Sequence, residues 1–132
     1  GCTAEVAQNP AVVATTANHL LVRLKLAPCA VRSMHLHLTV DELTLVLSGV
    51  VDVQQVMANG TVSSEIIGPG QTSVQPAGWV HQAVNPSCTE DATFLNFFNK
   101  FDTENVQIGI AINSIPTSPF QEYLADDMKA SA

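Results

Sequence analysis

The chain of 132 residues is 46% hydrophobic, which is enough to build the core of one domain. Its 12 acidic residues against 5 lysines and arginines give a net charge of −7, and the few basic residues form no cluster. This composition excludes nucleic acids and anionic membranes as expected partners, because both are bound by clustered lysine and arginine. No apolar run approaches the roughly 18 residues of a membrane-spanning helix, and no charged leader with an apolar core is present.

The N-terminal part of the chain contrasts with the first clear strand. Residues 1–16 are expected to be loosely ordered, because chain termini are poorly ordered unless they pair with the rest of a domain. From residue 20 to residue 26 every even position is leucine or valine, with Arg23 and Lys25 between them. This period of two predicts a half-buried strand whose even positions face the core.

Further short β-rich runs follow, bounded by glycine, proline and turn residues. They cover residues 43–47, 50–56, 61–67, 72–75, 79–84, 92–98 and 106–112. The turn at 57–60 predicts a hairpin, and Pro76-Ala77-Gly78 predicts a tight turn before the strand that carries His81. Many short strands at regular spacing predict an all-β barrel or sandwich over residues 17–115.

The last stretch, residues 116–132, changes to a helical period. Ser118-Pro119-Phe120-Gln121 has the form of a capping box with proline at the first helical position. Apolar residues then recur at helical spacing, namely Phe120, Tyr123, Leu124 and Met128. One short C-terminal amphipathic helix is predicted at 119–129, covering either its own barrel or a neighbouring subunit. Its apolar face and the open strand edges predict a homo-oligomer, a dimer or larger.

Four residues of metal-binding type occur in a compact pattern. His35 and His37 share one face of a strand because side chains alternate, Glu42 follows after a bend, and His81 comes from a later strand. Imidazoles with one carboxylate and no thiolate suit a single divalent ion such as Mn, Fe, Ni, Cu or Zn. Any one of these histidines alone is more often structural, but the four together predict a metal site. Asp41 is a rival carboxylate by chemistry alone.

The spacing of these residues repeats two motifs. The first runs His35-Leu36-His37, four residues, Glu42, six residues, Gly49; the second runs Gly70, five residues, Pro76-Ala77-Gly78, two residues, His81, three residues, Asn85. The first motif departs only at Cys29, where its leading glycine is expected. The chain therefore resembles the cupins, a resemblance that implies a jelly-roll β-barrel and makes Glu42, rather than Asp41, the carboxylate ligand.

Within the cupins the chain is similar to germin-like proteins from about residue 18 to about residue 124. The matching stretches are Ala27-Pro28-Cys29-Ala30 at the germin Ala-Pro-Gly-Gly turn, Asp41-Glu42 at a Thr-Glu or Ser-Glu pair, Phe98-Asn99 at a Phe-Asn-Ser-Gln-Asn stretch, and Ile115-Pro116-Thr117 before the C-terminal helices. The resemblance implies manganese, secretion and assembly into oligomers. Val22 and Arg32 stand where oxalate-oxidising germins have the asparagines that orient oxalate, so oxalate oxidation is not expected.

Two further residues are weighed as catalytic candidates. Arg32 lies three residues before His35, so on a regular strand it would point away from the ligand face, and only a bulge or turn would bring it to the metal. Asn85, four residues after His81, is expected to be structural, and the phenylalanines Phe94, Phe97 and Phe98 are expected in the core or beside the cavity.

The three cysteines and one glycosylation sequence bear on the location of the protein. Cys2, Cys29 and Cys88 permit one disulfide and one thiol, and Cys29 either pairs with Cys2 or stays a buried thiol. Asn59-Gly60-Thr61 is either a glycosylation site or simply a hairpin turn. With the germin resemblance, these features predict a secreted protein.

Three functions are compatible with this centre. Three neutral imidazoles and one carboxylate leave a divalent ion with a net charge of about +1, which attracts small anionic substrates. The first function is a redox enzyme acting on superoxide, dioxygen or a small organic acid, and the germin resemblance favours it. The others are a binding or storage protein that holds a carboxylate, and a metal-assisted isomerase or cyclase.

Overall fold

The computed structural model of the protein describes residues 11–16 and 18–113. This part of the chain forms ten β-strands and one short helix. The elements are β1 (Ala11–Thr16), β2 (His19–Leu26), β3 (Val31–His37), β4 (Glu42–Ser48), β5 (Val51–Val56), β6 (Val62–Ile67), β7 (Thr72–Gln75), β8 (Val80–Val84), β9 (Ala92–Phe98), β10 (Asn105–Gln107) and α1 (Ile108–Asn113). No helix among these residues is long and apolar enough to cross a membrane. The helix predicted at 119–129 lies outside the described residues.

The strands form two antiparallel sheets of five strands each. Their orders are β1-β2-β9-β4-β7 and β10-β3-β8-β5-β6. Within the described ranges only β1–β2 and β5–β6 are consecutive partners, and every other connection between strands passes from one sheet to the other. This is a jelly-roll arrangement, and it confirms the predicted all-β fold.

An apolar cluster fills one end of the space between the two sheets. Leu24, Val46 and Phe94 from the first sheet meet Val53 and Ile67 from the second, and each is at most 4% exposed. Burial of a side chain of this size stabilises the fold by roughly 1.5–3 kcal/mol. The even positions of β2 face this interior, as predicted.

Two positions of the first motif have a left-handed backbone. Gly49, between β4 and β5, has a φ of +72°, and a side chain there would collide with the backbone carbonyl of Asp91. Cys29, at the leading glycine position of the motif, has a φ of +62°. Its amide donates to the Ser87 carbonyl at 2.9 Å, which joins the β2–β3 turn to the loop before β9. Cys29 therefore keeps a backbone conformation that glycine adopts without strain.

Two segments differ from the sequence predictions. Residues 11–16, expected to be loosely ordered, form β1 because pairing with β2 satisfies their backbone hydrogen bonds. Residues 106–112, predicted as a strand, pass instead from β10 into α1 at Ile108. β10 pairs with β3 only as far as His35, and β3 is irregular between His35 and Arg32, so the ladder ends there.

The backbone at Cys29 gives a stability prediction. Cys29→Gly should be more stable than Cys29→Ala by about 1 kcal/mol, because both variants lose the sulfur but only alanine is strained at positive φ. Urea unfolding measures the difference. As a control, Ala27→Gly, in the same turn but at a residue without positive φ, should lower stability. Equal stability of the two Cys29 variants would contradict the assigned strain.

Candidate metal centre

Four side chains from three strands meet at the other end of the barrel interior. His35 and His37 lie on β3, Glu42 begins β4, and His81 lies on β8 opposite His35 in the strand register. Each residue is only 2–4% exposed. One donor atom from each side chain lies within 4.8 Å of all the others. The structure thus brings together the four residues that the sequence pattern predicted as ligands.

A backbone carbonyl orients each of the three histidine rings. The oxygen facing Nδ1 belongs to Ser33 for His35 at 2.7 Å, to Thr103 for His37 at 2.7 Å, and to Trp79 for His81 at 3.0 Å. A carbonyl oxygen only accepts hydrogen bonds, so each Nδ1 must carry a proton and donate the hydrogen bond. In a neutral ring this leaves Nε2 as a bare lone pair, and Nε2 is then the atom available for a metal.

The remaining donor atoms converge without protons between them. Oε2 of Glu42 lies 2.9 Å from Nε2 of His37 and 3.3 Å from Nε2 of His81. With each Nδ1 protonated, these contacts set lone pair against lone pair unless an extra proton or a cation lies between them. Donors about 2.0–2.2 Å from one ion stand roughly 3–4 Å apart, which agrees with these separations. The donor set therefore fits one divalent transition metal.

The second carboxylate oxygen of Glu42 faces a buried hydroxyl group. Oγ1 of Thr44 lies 3.5 Å from Oε1 of Glu42, 3.0 Å from Oε1 of Gln75 and 3.1 Å from Oδ1 of Asn96. One hydroxyl donates once and accepts twice, so it cannot serve three oxygens. A half-turn of both amides lets their NH₂ groups donate to Thr44, which then donates to Glu42. The half-turn also gives a partner to the Gln75 nitrogen, otherwise buried and unpaired.

Burial and neighbouring groups shift the pKa values of His35 and Glu42. Burial is the main cause that lowers the pKa of His35 to about 3, and the positive charge of Arg32 adds to it. For Glu42, burial alone would raise the pKa, but a second proton on His37 or His81 would lie on Nε2 and hydrogen-bond to the carboxylate, and this favours the ionised carboxylate enough to lower its pKa to about 2. Glu42 is therefore a carboxylate, and His35 a neutral imidazole, across the physiological pH range.

Arg32 reaches the same interior because β3 is bulged. The register between β3 and β8 shifts between Arg32 and His35. On a regular strand two residues three positions apart point to opposite faces, but this alternation does not hold across a bulge. Arg32 lines a cavity of about 300 Å³ together with His35, His37 and Glu42. Its Nη1 is buried and has no hydrogen-bond partner among the described residues. Burial lowers the pKa of Arg32 and Glu42 opposes this, but a guanidinium group stays charged.

Asn85 and Asp41 lie outside the cavity lining. The side-chain nitrogen of Asn85 donates to the Glu90 carbonyl at 2.8 Å, and its oxygen accepts from the Ser87 amide at 3.0 Å. Asn85 therefore holds the β8–β9 loop, the structural role that was expected for it. Asp41 is exposed and accepts from the Ala77 amide at 2.9 Å, so it anchors the turn before β8.

The three phenylalanines of β9 have three different positions. Phe94 is buried in the apolar cluster, and Phe97 is 40% exposed on the outer face of the sheet. Phe98 lines the cavity, and its ring meets that of His37 at a centroid distance of 5.1 Å. Only Phe98 therefore borders the site.

The two described cysteines come together in the loops at the apolar end. Their Sγ atoms, in Cys29 and Cys88, lie 3.5 Å apart, and neither cysteine is a free thiol. Cys2, the partner considered for Cys29, lies outside the described residues.

Sequence reasoning missed the polar residues that surround Glu42. Thr44 follows Glu42 at the strand period of two, and Asn96 interrupts the inward apolar positions of β9, so both were detectable as polar residues facing inward. Gln75 is the register partner of Glu42 on β7. Thr103 contributes only its backbone carbonyl to His37, which no side-chain pattern reveals.

The lowered pKa of His35 predicts an acid-sensitive apoprotein. The unfolded chain, with a pKa of about 6.5 at this residue, binds one more proton than the folded state between pH 3 and 6.5. The free energy of unfolding is therefore unaffected by the titration of His35 above pH 6.5. As the pH falls towards 3, it decreases by up to roughly 1.4 kcal/mol per pH unit.

Urea unfolding of chelator-treated protein at about pH 7.5 and about pH 5 measures this loss. His35→Asn should reduce the pH dependence, while His19→Asn, at an exposed position, should leave it unchanged. A His35→Asn profile identical to that of the unaltered protein would exclude His35 as the cause.

Solved structures similar to this chain share its fold at low sequence identity. An oxalate oxidase has a TM-score of 0.75 at 23% identity, covering 93% of this chain and 65% of its own. Oxalate decarboxylase from Bacillus subtilis has 0.70 at 24%, covering 86% and 28%. An uncharacterized conserved protein with a double-stranded β-helix domain from Klebsiella pneumoniae subsp. pneumoniae has 0.65 at 22%, covering 75% and 82%.

The family comparison covers nearly the whole chain, whereas the oxalate oxidase and the oxalate decarboxylase are longer proteins. The chain spans less than two thirds of the oxalate oxidase to which it is similar. No curated protein sequence matches it. The family model of the cupins matches residues 3–124, and these residues include the whole metal-binding cluster. The chain therefore belongs to the cupin family.

Proposed function

We propose that this cupin is a manganese-dependent oxidoreductase that acts on superoxide, dioxygen or a small organic acid other than oxalate. The observation that supports this most is the convergence of three Nε2 lone pairs and the Glu42 carboxylate beside a cavity. The four residues would hold the metal, and the germin resemblance favours manganese over iron, zinc, nickel and copper. A bound manganese ion supplies one-electron redox chemistry and a centre of net charge about +1.

The cavity residues support an anionic substrate. Arg32 places a second positive charge beside His35, and it forms no ion pair with Glu42 or with another described carboxylate. The Thr44 hydroxyl holds the second oxygen of Glu42, which favours a single metal-facing oxygen. The residues of this chain therefore bind and orient an anion at the open side of the centre.

The lining of the cavity disfavours oxalate as the substrate. Val22 and Arg32, the residues at the positions of the germin oxalate-orienting asparagines, both line the cavity. Valine offers no hydrogen bond, and arginine offers a charge in place of an amide. The oxalate oxidase similarity therefore supports the fold of the site but not this substrate.

Metal content tests the ligand assignment. His37→Ala should lose stoichiometric metal, because one of four ligands is removed, and its melting temperature should fall since a native-state ligand stabilises by mass action. Elemental analysis and calorimetry measure both quantities. His19→Ala, an exposed histidine outside the cluster, is the control and should keep one metal equivalent. A full equivalent in His37→Ala would refute the assignment.

Thr44 allows a graded version of this test. Thr44→Val keeps the shape but removes the hydroxyl that faces Glu42, so we expect roughly tenfold weaker metal binding. Thr44→Ser restores the hydroxyl and should recover most of the affinity. Competition with a chelator of known affinity measures both constants, and equal affinities would show that the hydroxyl does not support Glu42.

Activity assays test the redox assignment. The manganese-loaded protein should dismute superoxide, or consume dioxygen with an organic acid, and should oxidise oxalate poorly because of Val22 and Arg32. Spectroscopy of the bound ion should show a change of oxidation state during turnover. Oxalate oxidation as fast as the best other activity would contradict the proposal. Purification with redox-inert zinc as the native metal would favour a binding protein or an isomerase instead.

An exposed apolar row supports assembly into a homo-oligomer. Phe97, Leu43 and Val74 are register neighbours across β9, β4 and β7, and each is 38–52% exposed on the outer face of the sheet. A contiguous apolar patch of this kind is typical of an interface. Light scattering should therefore give a mass that is a multiple of 14.0 kDa.

A charged substitution tests this face. Phe97→Glu should lower the measured mass towards 14.0 kDa, because it places a carboxylate within this apolar row. Ile66→Glu, which changes an exposed apolar residue of the other sheet, should leave the mass unchanged. A mass of 14.0 kDa for the unaltered chain would show that the protein is a monomer.

Two observations support an extracellular location. Asn59 of the glycosylation sequence is exposed in the β5–β6 turn, where a glycan has room. Cys29 and Cys88 are not free thiols, which suits an oxidising environment.

A further inference from the structure

The cavity beside the metal centre has two chemically different walls. The apolar wall comes from β2 and β9 and consists of Leu20, Val22, Leu24 and Phe98, interrupted by the polar side chain of Asn96. The polar wall comes mainly from β3 and β10 and consists of Arg32, His35, His37, Thr103, Asn105 and Gln107, with Glu42 of β4 next to His37. Asn105 is exposed, so the cavity meets solvent on the β10 side. A molecule that fills this space must therefore be amphipathic.

Arg32 is the anchor for the charged end of such a molecule. Its Nη1 atom is buried without a hydrogen-bond partner among the described residues, and Arg32 forms no ion pair with any of them. An unpaired buried donor is costly, and a charged donor more so. A ligand carboxylate would remove this cost by accepting charge-assisted hydrogen bonds from the guanidinium group.

The size of the cavity argues against the smallest acids. A dicarboxylate of six non-hydrogen atoms fills on the order of 100 Å³, judged from the roughly 30 Å³ of one water molecule. The cavity holds about 300 Å³. Such a dianion would leave most of the apolar wall in contact with water. A longer molecule with one carboxylate would cover that wall instead.

The geometry points to a monocarboxylic acid with an apolar chain or ring as the substrate class of this centre. The carboxylate pairs with Arg32 on the polar wall, and the apolar body lies against Val22, Leu24 and Phe98. This inference rests on the proposed function, since it assigns the organic acid that the same metal centre would act on. Such a substrate differs from oxalate, which has no apolar part, and from superoxide, which is much smaller.

A series of acids tests the inference by binding rather than by turnover. Acetate, butyrate, hexanoate and oxalate are titrated calorimetrically into the protein as purified, without oxygen so that no oxidation follows. Affinity should rise about fourfold per added methylene, which corresponds to about 0.8 kcal/mol of apolar burial. Hexanoate should bind more tightly than oxalate. Tighter binding of oxalate, equal affinities along the series, or no binding of any acid would overturn the inference.

Matched variants assign the two walls separately. Arg32→Met should weaken every monocarboxylate at least tenfold while keeping the gain per methylene, because only the charged contact is lost. Lys25→Met removes an exposed cation that pairs with Asp91 and should change nothing. Val22→Asn should reduce the gain per methylene and leave acetate binding unchanged. If an Arg32 or Val22 variant does not fold, the acid series on the unaltered protein still decides the outcome.

The outcome is separable from that of the proposed function. Rising affinity along the series with no redox activity would retain the substrate class and reject the oxidoreductase. Redox activity with equal affinities along the series would retain the oxidoreductase and reject the substrate class.

Discussion

Three backbone carbonyls that each accept a hydrogen bond from a histidine Nδ1–H determine the chemistry of this barrel. They fix the tautomers of His35, His37 and His81, so that three Nε2 lone pairs point at one place and at the Glu42 carboxylate. Burial then keeps His35 neutral in the same state in which it can bind a cation. The protein therefore holds a cluster that is electrostatically costly without a cation, and the apolar cluster at the other end of the barrel helps to offset that cost.

The sequence was sufficient for much of the fold and for the four residues of the centre, for identifiable physical reasons. Strand alternation defined the inward face of β2, and turn residues separated the strands, because both depend on neighbours in the chain. The fixed motif spacing around His35 and His81 predicted which four residues form the cluster. The helix α1 was mispredicted because Ile108 and the isoleucines after it alternate as in a strand, while their conformation depends on where the β3 ladder ends.

Arg32 shows how a tertiary irregularity can change the meaning of a sequence position. Its separation from His35 is odd, so a regular strand would turn it away from the ligand face. The register shift in β3 instead leaves Arg32 in the cavity, and the same irregularity coincides with the end of the β10 ladder. No local pattern in residues 31–35 encodes the shift, since a bulge depends on pairing with β8. Thr44 and Asn96, in contrast to Arg32, could have been predicted from the sequence, because the strand period places both side chains in the barrel interior.

Electrostatics at two length scales limit which ligands this centre can favour. The chain has a net charge of −7, so its surface repels an anion that comes within about 8 Å, the screening length at physiological ionic strength, and offers no attraction farther out. Inside the cavity the charge of Arg32 opposes this repulsion, a metal ion held by the four-residue cluster would oppose it further, and screening there is weak. Attraction therefore acts only at short range and cannot steer a small anion from solution. A ligand with apolar surface gains its binding free energy from contact with Val22, Leu24 and Phe98, which does not depend on the net charge of the protein.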